Sequence, residues 1–256
     1  MTVRSPEETH RTIVIGRTGT GKSQGAIDIL SEQDWQSMPW VIIDYKGEDL
    51  IRDILVMSGW RKVKRKDVVY VEQTINSRIK ELKFEDKIPR KPGLYYMHPR
   101  PKIDDEAMEQ WLFKVHARGN IGLFIDEGYA MPKFGDSPAF TLILTQGRTL
   151  HIPVICLYQR PVWMSRFAVA QADFIRLFKQ GDMRDKKVVG NYCPPATLPN
   201  GSKLGAAELD RLPDYYSLWH DVSRGNTSVL LPAPSREAIM SKFRDRLVLR
   251  REGVLV

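Results

Sequence analysis

A chain of 256 residues with 42% hydrophobic and 27% charged residues is expected to bury a substantial core, which excludes a disordered polyelectrolyte. The formal net charge of +8 favours a polyanionic partner without identifying one, since many basic proteins bind no nucleic acid. Cys156 lies in an apolar run and Cys193 in a loop before a Pro-Pro pair; with no CxxC and no Cys–His cluster, neither a disulfide framework nor a zinc site is supported, and a reducing cytoplasm fits.

In chain order, residues 12–15 read as a first strand, followed by glycines and a helix over 22–30. Residues 41–43 read as a second strand and 49–57 as a second helix. Residues 59–92 are rich in Lys and Arg and read either as an insertion on the core or as a solvated, irregular connection. A strand is predicted over 94–97, and over 104–118 Met108, Trp111, Leu112 and Val115 recur at helical spacing. Residues 121–125 and 153–158 are short continuous apolar runs, as expected of strands covered on both faces, and 174–178 is a further strand. Residues 215–231 predict a hairpin that turns at Ser223-Arg224-Gly225-Asn226. This alternation predicts a parallel sheet flanked by helices. No apolar run approaches the length of a membrane span and the N-terminus lacks the form of a signal peptide, so a soluble intracellular chain is expected.

The first segment with chemical content is Gly16-Arg17-Thr18-Gly19-Thr20-Gly21-Lys22-Ser23, which fits GxxxxGK[ST] in full. Its glycines let backbone N–H groups converge on the phosphates of ATP. Lys22 is placed to reach the β- and γ-phosphates and Ser23 to offer its hydroxyl to Mg²⁺. Next, Ile121-Gly122-Leu123-Phe124-Ile125-Asp126-Glu127 is an apolar strand ending in two acids. Asp126 is expected to hold Mg²⁺ through its water shell, and Glu127 to polarise the water that attacks the γ-phosphate. A carboxylate poised to activate water favours hydrolysis over phosphoryl transfer to a metabolite.

Gln159 closes the third apolar strand, expected beside the phosphate-loop strand, where its amide senses the γ-phosphate or holds the water. Arg148, just before that strand, is a candidate arginine finger acting in trans on a neighbouring subunit's ATP; otherwise it is a surface charge. Arg160, beside Gln159, reads as a local residue. The five histidines show no metal spacing, and the six tryptophans read as core residues.

The run Gly147 to Pro161, an arginine and glycine before an apolar strand that ends Gln159-Arg160-Pro161, resembles the FtsK–HerA superfamily. So does Ile42-Ile43-Asp44-Tyr45-Lys46-Gly47-Glu48, which is similar to the second-strand motif of HerA-type motors and conjugative coupling proteins. The segment from Ala172-Asp173-Phe174 through Asp182-Met183-Arg184-Asp185 and the late hairpin extend the resemblance over most of residues 12–232. It implies an α/β fold, a RecA-like P-loop NTPase core of mostly parallel sheet flanked by helices, with a C-terminal β-hairpin. A single domain over 1–256 is expected: a core at about 10–190, the basic insertion or connection at 59–92, and a hairpin and tail at 191–256.

The short chain without membrane segments resembles the compact packaging ATPases of membrane-containing icosahedral viruses of the tectivirus kind. That likeness implies ATP and Mg²⁺ as cofactors and double-stranded DNA as cargo moved into a preformed capsid. It further implies a pentameric or hexameric ring, partners at a capsid vertex or portal, and a place in the host cytoplasm and on the virion. Arg61, Lys62, Lys64, Arg65 and Lys66 form the densest basic run, a candidate DNA contact and equally a solvated charged face. Two other readings stand beside this one: a filamentous-phage-type assembly or export ATPase, and a small-molecule P-loop kinase.

Overall fold

The computed structural model of the protein describes residues 4–7, 9–65, 68–198, 200–225 and 228–249. The first half of the chain runs β1 (Arg11–Ile15), α1 (Lys22–Glu32), β2 (Pro39–Ile43), α2 (Asp49–Met57), β3 (Arg61–Arg65), β4 (Val68–Glu72), β5 (Lys80–Glu81), β6 (Gly93–Met97) and α3 (Asp105–Arg118). The second half runs β7 (Gly122–Ile125), α4 (Pro138–Gln146), β8 (Val154–Tyr158), α5 (Arg166–Ala170), β9 (Phe174–Phe178), α6 (Met183–Gly190), β10 (Ala196–Thr197), β11 (Lys203–Leu204), β12 (Tyr216–Asp221), β13 (Val229–Pro232) and α7 (Arg236–Leu249).

Among the described residues, nine strands form one sheet in the order β13-β12-β9-β1-β8-β7-β2-β6-β5. From β9 to β5 every pairing is parallel, while β12 runs antiparallel to both β9 and β13. The late hairpin is therefore no appendage, because it extends the main sheet along the outer edge of β9. β1 is an interior strand, flanked by β8 and β9, so the loop that follows it opens at the carboxyl end of the parallel strands, where α/β sheets of this kind bind ligands.

Both faces of the parallel strands are covered, which explains their unbroken apolar runs. Side chains alternate between two cores as the strand period of two requires. Ile13, Val41, Leu123 and Cys156 enter one core with Trp111, Leu112 and Val115 of α3. Val14, Ile42, Phe124 and Ile155 enter the other with α1, α2, and Ile239 and Phe243 of α7. α7 covers α1, with Lys242 Nζ 2.7 Å from both the Asp28 and Glu32 carboxylates and the Arg246 guanidinium 4.4 Å from the Trp35 ring centroid. No helix among the described residues is long and apolar enough to cross a membrane.

One expectation, that all six tryptophans are core residues, needs correction, and others gain detail. The basic region is not irregular: β3 and β4 pair antiparallel as a two-stranded ribbon, and β5 joins the edge of the main sheet against β6. Five tryptophans are buried, but Trp163 is 47% exposed and stacks on Tyr129 with ring centroids 4.9 Å apart. Cys193 is in a loop and is nonetheless buried. Of the expected hairpin turn, Ser223 and Arg224 lie in a short 3₁₀ turn, and Asn226 lies outside the described residues.

Candidate active site

The phosphate loop is rooted between the two strands that flank β1. Gly16 N–H donates to the Tyr158 carbonyl at the end of β8 (3.1 Å), and Arg17 N–H to the Lys179 carbonyl just past β9 (3.4 Å). The Thr20 hydroxyl donates to the Arg17 carbonyl (2.8 Å) and closes the loop on itself. A Cβ at position 16 would lie 2.6 Å from Phe178 Cβ, so only glycine lets the loop pass so close to β9. Gly21 caps α1 in the left-handed region at φ 93°, and α1 has no side-chain N-cap and no acid in its first turn. The N-terminal amides of α1 therefore face the loop without an internal anion to satisfy them, as an anion site at a helix N-terminus requires.

A cavity of about 280 Å³ opens there, lined by the loop, Lys22, Ser23, Lys46, Glu48, Gln159 and Tyr215. Burial lowers the affinity of the Lys22 ammonium for its proton, and Lys46 lowers it further, against the opposing charges of Asp126, Glu127 and Glu48. Lys22 is thus a desolvated cation whose charge a triphosphate would stabilise.

Asp126 leaves the end of β7, its N–H donating to the Ile43 carbonyl of β2 (3.0 Å). The residue is 0% exposed, and neither carboxylate oxygen has a hydrogen-bond partner. Burial above all pushes its pKa up to about 6, with Asp44 and Glu48 adding to the rise while Lys46 and Lys22 oppose it. A buried carboxylate with no donor is costly unless a cation completes it, so the donor set here fits a divalent metal. Glu127, only 8% exposed, is ion-paired with Lys46.

The structure places Gln159 on the cavity wall, as the β8–β1 adjacency requires, with its carbonyl accepting from the Gln180 amide at 3.3 Å. Arg148 is elsewhere. It precedes β8 at the amino end of the sheet, where Val154 pairs with Arg11. The four strand steps from Arg11 to Ile15 separate it from its own phosphate loop by about 13 Å at about 3.3 Å per residue, so action in cis is excluded. Its side chain is 58% exposed and ion-paired with Asp173, which also accepts from Arg11 Nε at 3.2 Å. Arg160 is held locally, 2.5 Å from Asp185 and 3.1 Å from Asp182.

The basic run is split by the strand period. Lys62 and Lys64 share one face of the ribbon and Arg61 lies on the other, and all three are exposed. Lys62 pairs with Asp53 of α2 at 3.4 Å, and Lys66 lies outside the described residues.

Asp44, Lys46, Glu48 and Tyr215 also belong to the site, although the sequence assigns them no role in it. Asp44 is buried at the end of β2, and one of its oxygens accepts the N–H groups of Lys46 (3.1 Å), Gly47 (2.8 Å) and Glu48 (3.2 Å). That clasp turns the chain so that Lys46 meets Glu127 and Glu48 meets the Ser23 hydroxyl at 3.2 Å. Tyr215 N–H donates to the Thr20 carbonyl (3.0 Å), and its ring would meet a Cβ at Gly21 at 2.8 Å. The run Asp44-Tyr45-Lys46-Gly47-Glu48 was the available signal, but its use depends on which strand lies beside β7.

No protein-family model matches the chain. It is 37% identical over 246 residues to the DNA packaging ATPase P9 of Enterobacteria phage PRD1, a match that covers 95% of this chain and 96% of that protein. Among solved structures, the genome packaging NTPase B204 of Sulfolobus turreted icosahedral virus 2 in complex with sulfate superposes with a TM-score of 0.59 at 18% identity, covering 90% of this chain and 98% of that one. The pCW3 conjugation coupling protein TcpA with ATPγS superposes with a TM-score of 0.60 at 12% identity, covering 95% of this chain and 65% of that one. At these identities the two structures speak to the fold alone.

Proposed function

The chain belongs to the family of viral DNA packaging ATPases, and from that premise we propose how its residues bind ATP, cleave it and pass the work to DNA. It is an ATPase of FtsK–HerA type that serves genome packaging, so it acts during virion assembly in the host cell. The observation that supports the catalytic reading best is Asp126, a buried carboxylate without a donor, behind a phosphate loop whose amides are also free of internal anions.

Loop residues Gly16 to Ser23 cradle the phosphates, and Lys22 neutralises the β- and γ-phosphates. The Ser23 hydroxyl and, through water, Asp126 would hold Mg²⁺, which supplies charge neutralisation on the phosphate oxygens when bound. Glu127 accepts a proton from the attacking water once Lys46 no longer pairs with it. Gln159, on the cavity wall, reports the γ-phosphate through its amide. Arg148, unable to reach its own site, completes that of the next subunit in a pentameric or hexameric ring. The cargo is double-stranded DNA, gripped through its phosphates by basic side chains that include Arg61, Lys62, Lys64, Arg65 and Lys66. The ring delivers it to a preformed capsid at a vertex or portal, so the protein is found in the host cytoplasm and on the virion. The whole of 1–256 works as one ATPase unit.

Steady-state phosphate release with and without long double-stranded DNA tests this reading, repeated on Arg148→Ala mixed with the parent protein. DNA is expected to raise turnover several-fold. Equal mixtures are expected to fall below the mean of the two pure proteins, because in a ring whose sites fire in sequence each site silenced by an inert neighbouring finger also stalls the others. Turnover indifferent to DNA, with strictly additive mixtures, would remove translocation and sequential firing around a ring and leave only a P-loop ATPase.

A further inference from the structure

We infer that Glu48 is a third oxygen group for the divalent cation that accompanies ATP, acting with Ser23 and Asp126; this rests on the ATPase reading above. Glu48 sits at the N-cap of α2 but makes no side-chain cap there. Its carboxylate instead lines the phosphate cavity and accepts a hydrogen bond from the Ser23 hydroxyl at 3.2 Å. That donation fixes the hydroxyl hydrogen toward Glu48, which leaves the oxygen lone pairs free for a cation. The buried Asp126 oxygens, which no hydrogen bond satisfies and which lie within electrostatic reach of Glu48, are the second observation that points to a cation.

The direction of Glu48 is fixed by the backbone. Asp44 takes three consecutive N–H groups from Lys46 to Glu48, and its other oxygen accepts from the Tyr96 hydroxyl at 3.3 Å. Arg52 Nε, one turn into α2, donates to the Gly47 carbonyl at 2.8 Å from the other side. A loop held at both its amides and its carbonyl presents Glu48 with little freedom, as groups around a metal need.

Electrostatics separates this role from a structural one. A carboxylate on the wall of a triphosphate site repels the bare nucleotide and attracts the nucleotide's cation. Its contribution to ATP binding therefore changes sign with the metal. A residue kept only to hydrogen-bond Ser23 would act alike in both conditions, and glutamine would replace it, since the amide oxygen accepts the same hydroxyl.

The test uses the full chain carrying Glu127→Gln, so that nucleotide is not consumed, and a fluorescent ATP analogue titrated in EDTA and in saturating Mg²⁺. Adding Glu48→Gln is expected to shrink the gain in affinity that Mg²⁺ gives by about 10-fold or more, the scale of lost outer-shell metal partners, with affinity in EDTA equal or tighter. Mn²⁺ in place of Mg²⁺, followed by electron paramagnetic resonance, is expected to show the same loss of bound metal. Glu48→Asp, which retracts the charge without removing it, should keep part of the gain. An unchanged Mg²⁺ gain would overturn the inference alone, as would Gln and Asp variants weakened equally with and without metal. A Glu127→Gln protein that binds no nucleotide in either condition would instead remove the ATPase reading, and this inference with it.

Discussion

Glu127→Gln is expected to cut ATP turnover by about 10²- to 10⁴-fold, the usual contribution of a general base, while ATP binding persists. The glutamine keeps the size of the side chain and its hydrogen-bonding edge but cannot take a proton from water. Binding should survive because the loop, Lys22 and the α1 amides make the phosphate contacts and none of them depends on Glu127. Removing a negative charge beside a triphosphate favours binding of the metal-free nucleotide, and Lys46, freed from its ion pair, remains as a further cation. Phosphate release at saturating ATP, set against titration of a fluorescent analogue, separates the two effects. Turnover at the parental rate would take the base role from Glu127 and leave Glu48, the carboxylate on the cavity wall, as its holder.

The parts of this site that were legible in the sequence are those whose chemistry is local. The phosphate loop is eight consecutive residues between a strand and a helix, and Asp126-Glu127 are adjacent at a strand end, so spacing alone identifies them. The parallel sheet was legible because strands covered on both faces need unbroken apolar runs, and 121–125 and 153–158 supply them. The β3–β4 ribbon was not, because Arg61-Lys62-Val63-Lys64-Arg65 has no apolar alternate to betray a strand; a ribbon packed largely against α2 and water needs none. The Asp173 pairing of Arg148 joins residues 25 apart through the β1–β9 neighbourhood, and no periodicity reports strand order. Lys46 and Glu48 lie inside a motif that was visible, yet their opposite duties appear only when Asp44 is seen to bend the chain between them.

Asp126→Asn is expected to raise the stability of the metal-free protein and to abolish its Mg²⁺-dependent turnover. The Asp126 carboxyl, ordinarily near 3.8, is pushed up to about 6 by burial. A raised carboxyl pKa means that the folded state holds the proton more tightly than the unfolded chain. Stability linked to that proton is fully present below about pH 4 and is lost as pH rises through about 6. A rise of that size corresponds to about 3 kcal/mol above pH 7, all of it the cost of an ionised group without a partner. Asparagine has no such charge, so the variant should melt higher than the parent by about 6 °C or more at pH 8 in EDTA, with the difference narrowing toward pH 4. Mg²⁺ with a non-hydrolysable ATP analogue should reverse the order, because the variant lacks the buried anion that the cation neutralises in the parent, and binding stabilises by mass action. Melting curves in the four combinations of acid or neutral buffer, with or without the metal nucleotide, decide it. A variant that melts at or below the parent at pH 8 in EDTA would mean that some donor already satisfies Asp126. The crossing of the two melting orders would instead tie the instability of the empty site to its function: the strand end is built with a charge that only the metal nucleotide completes.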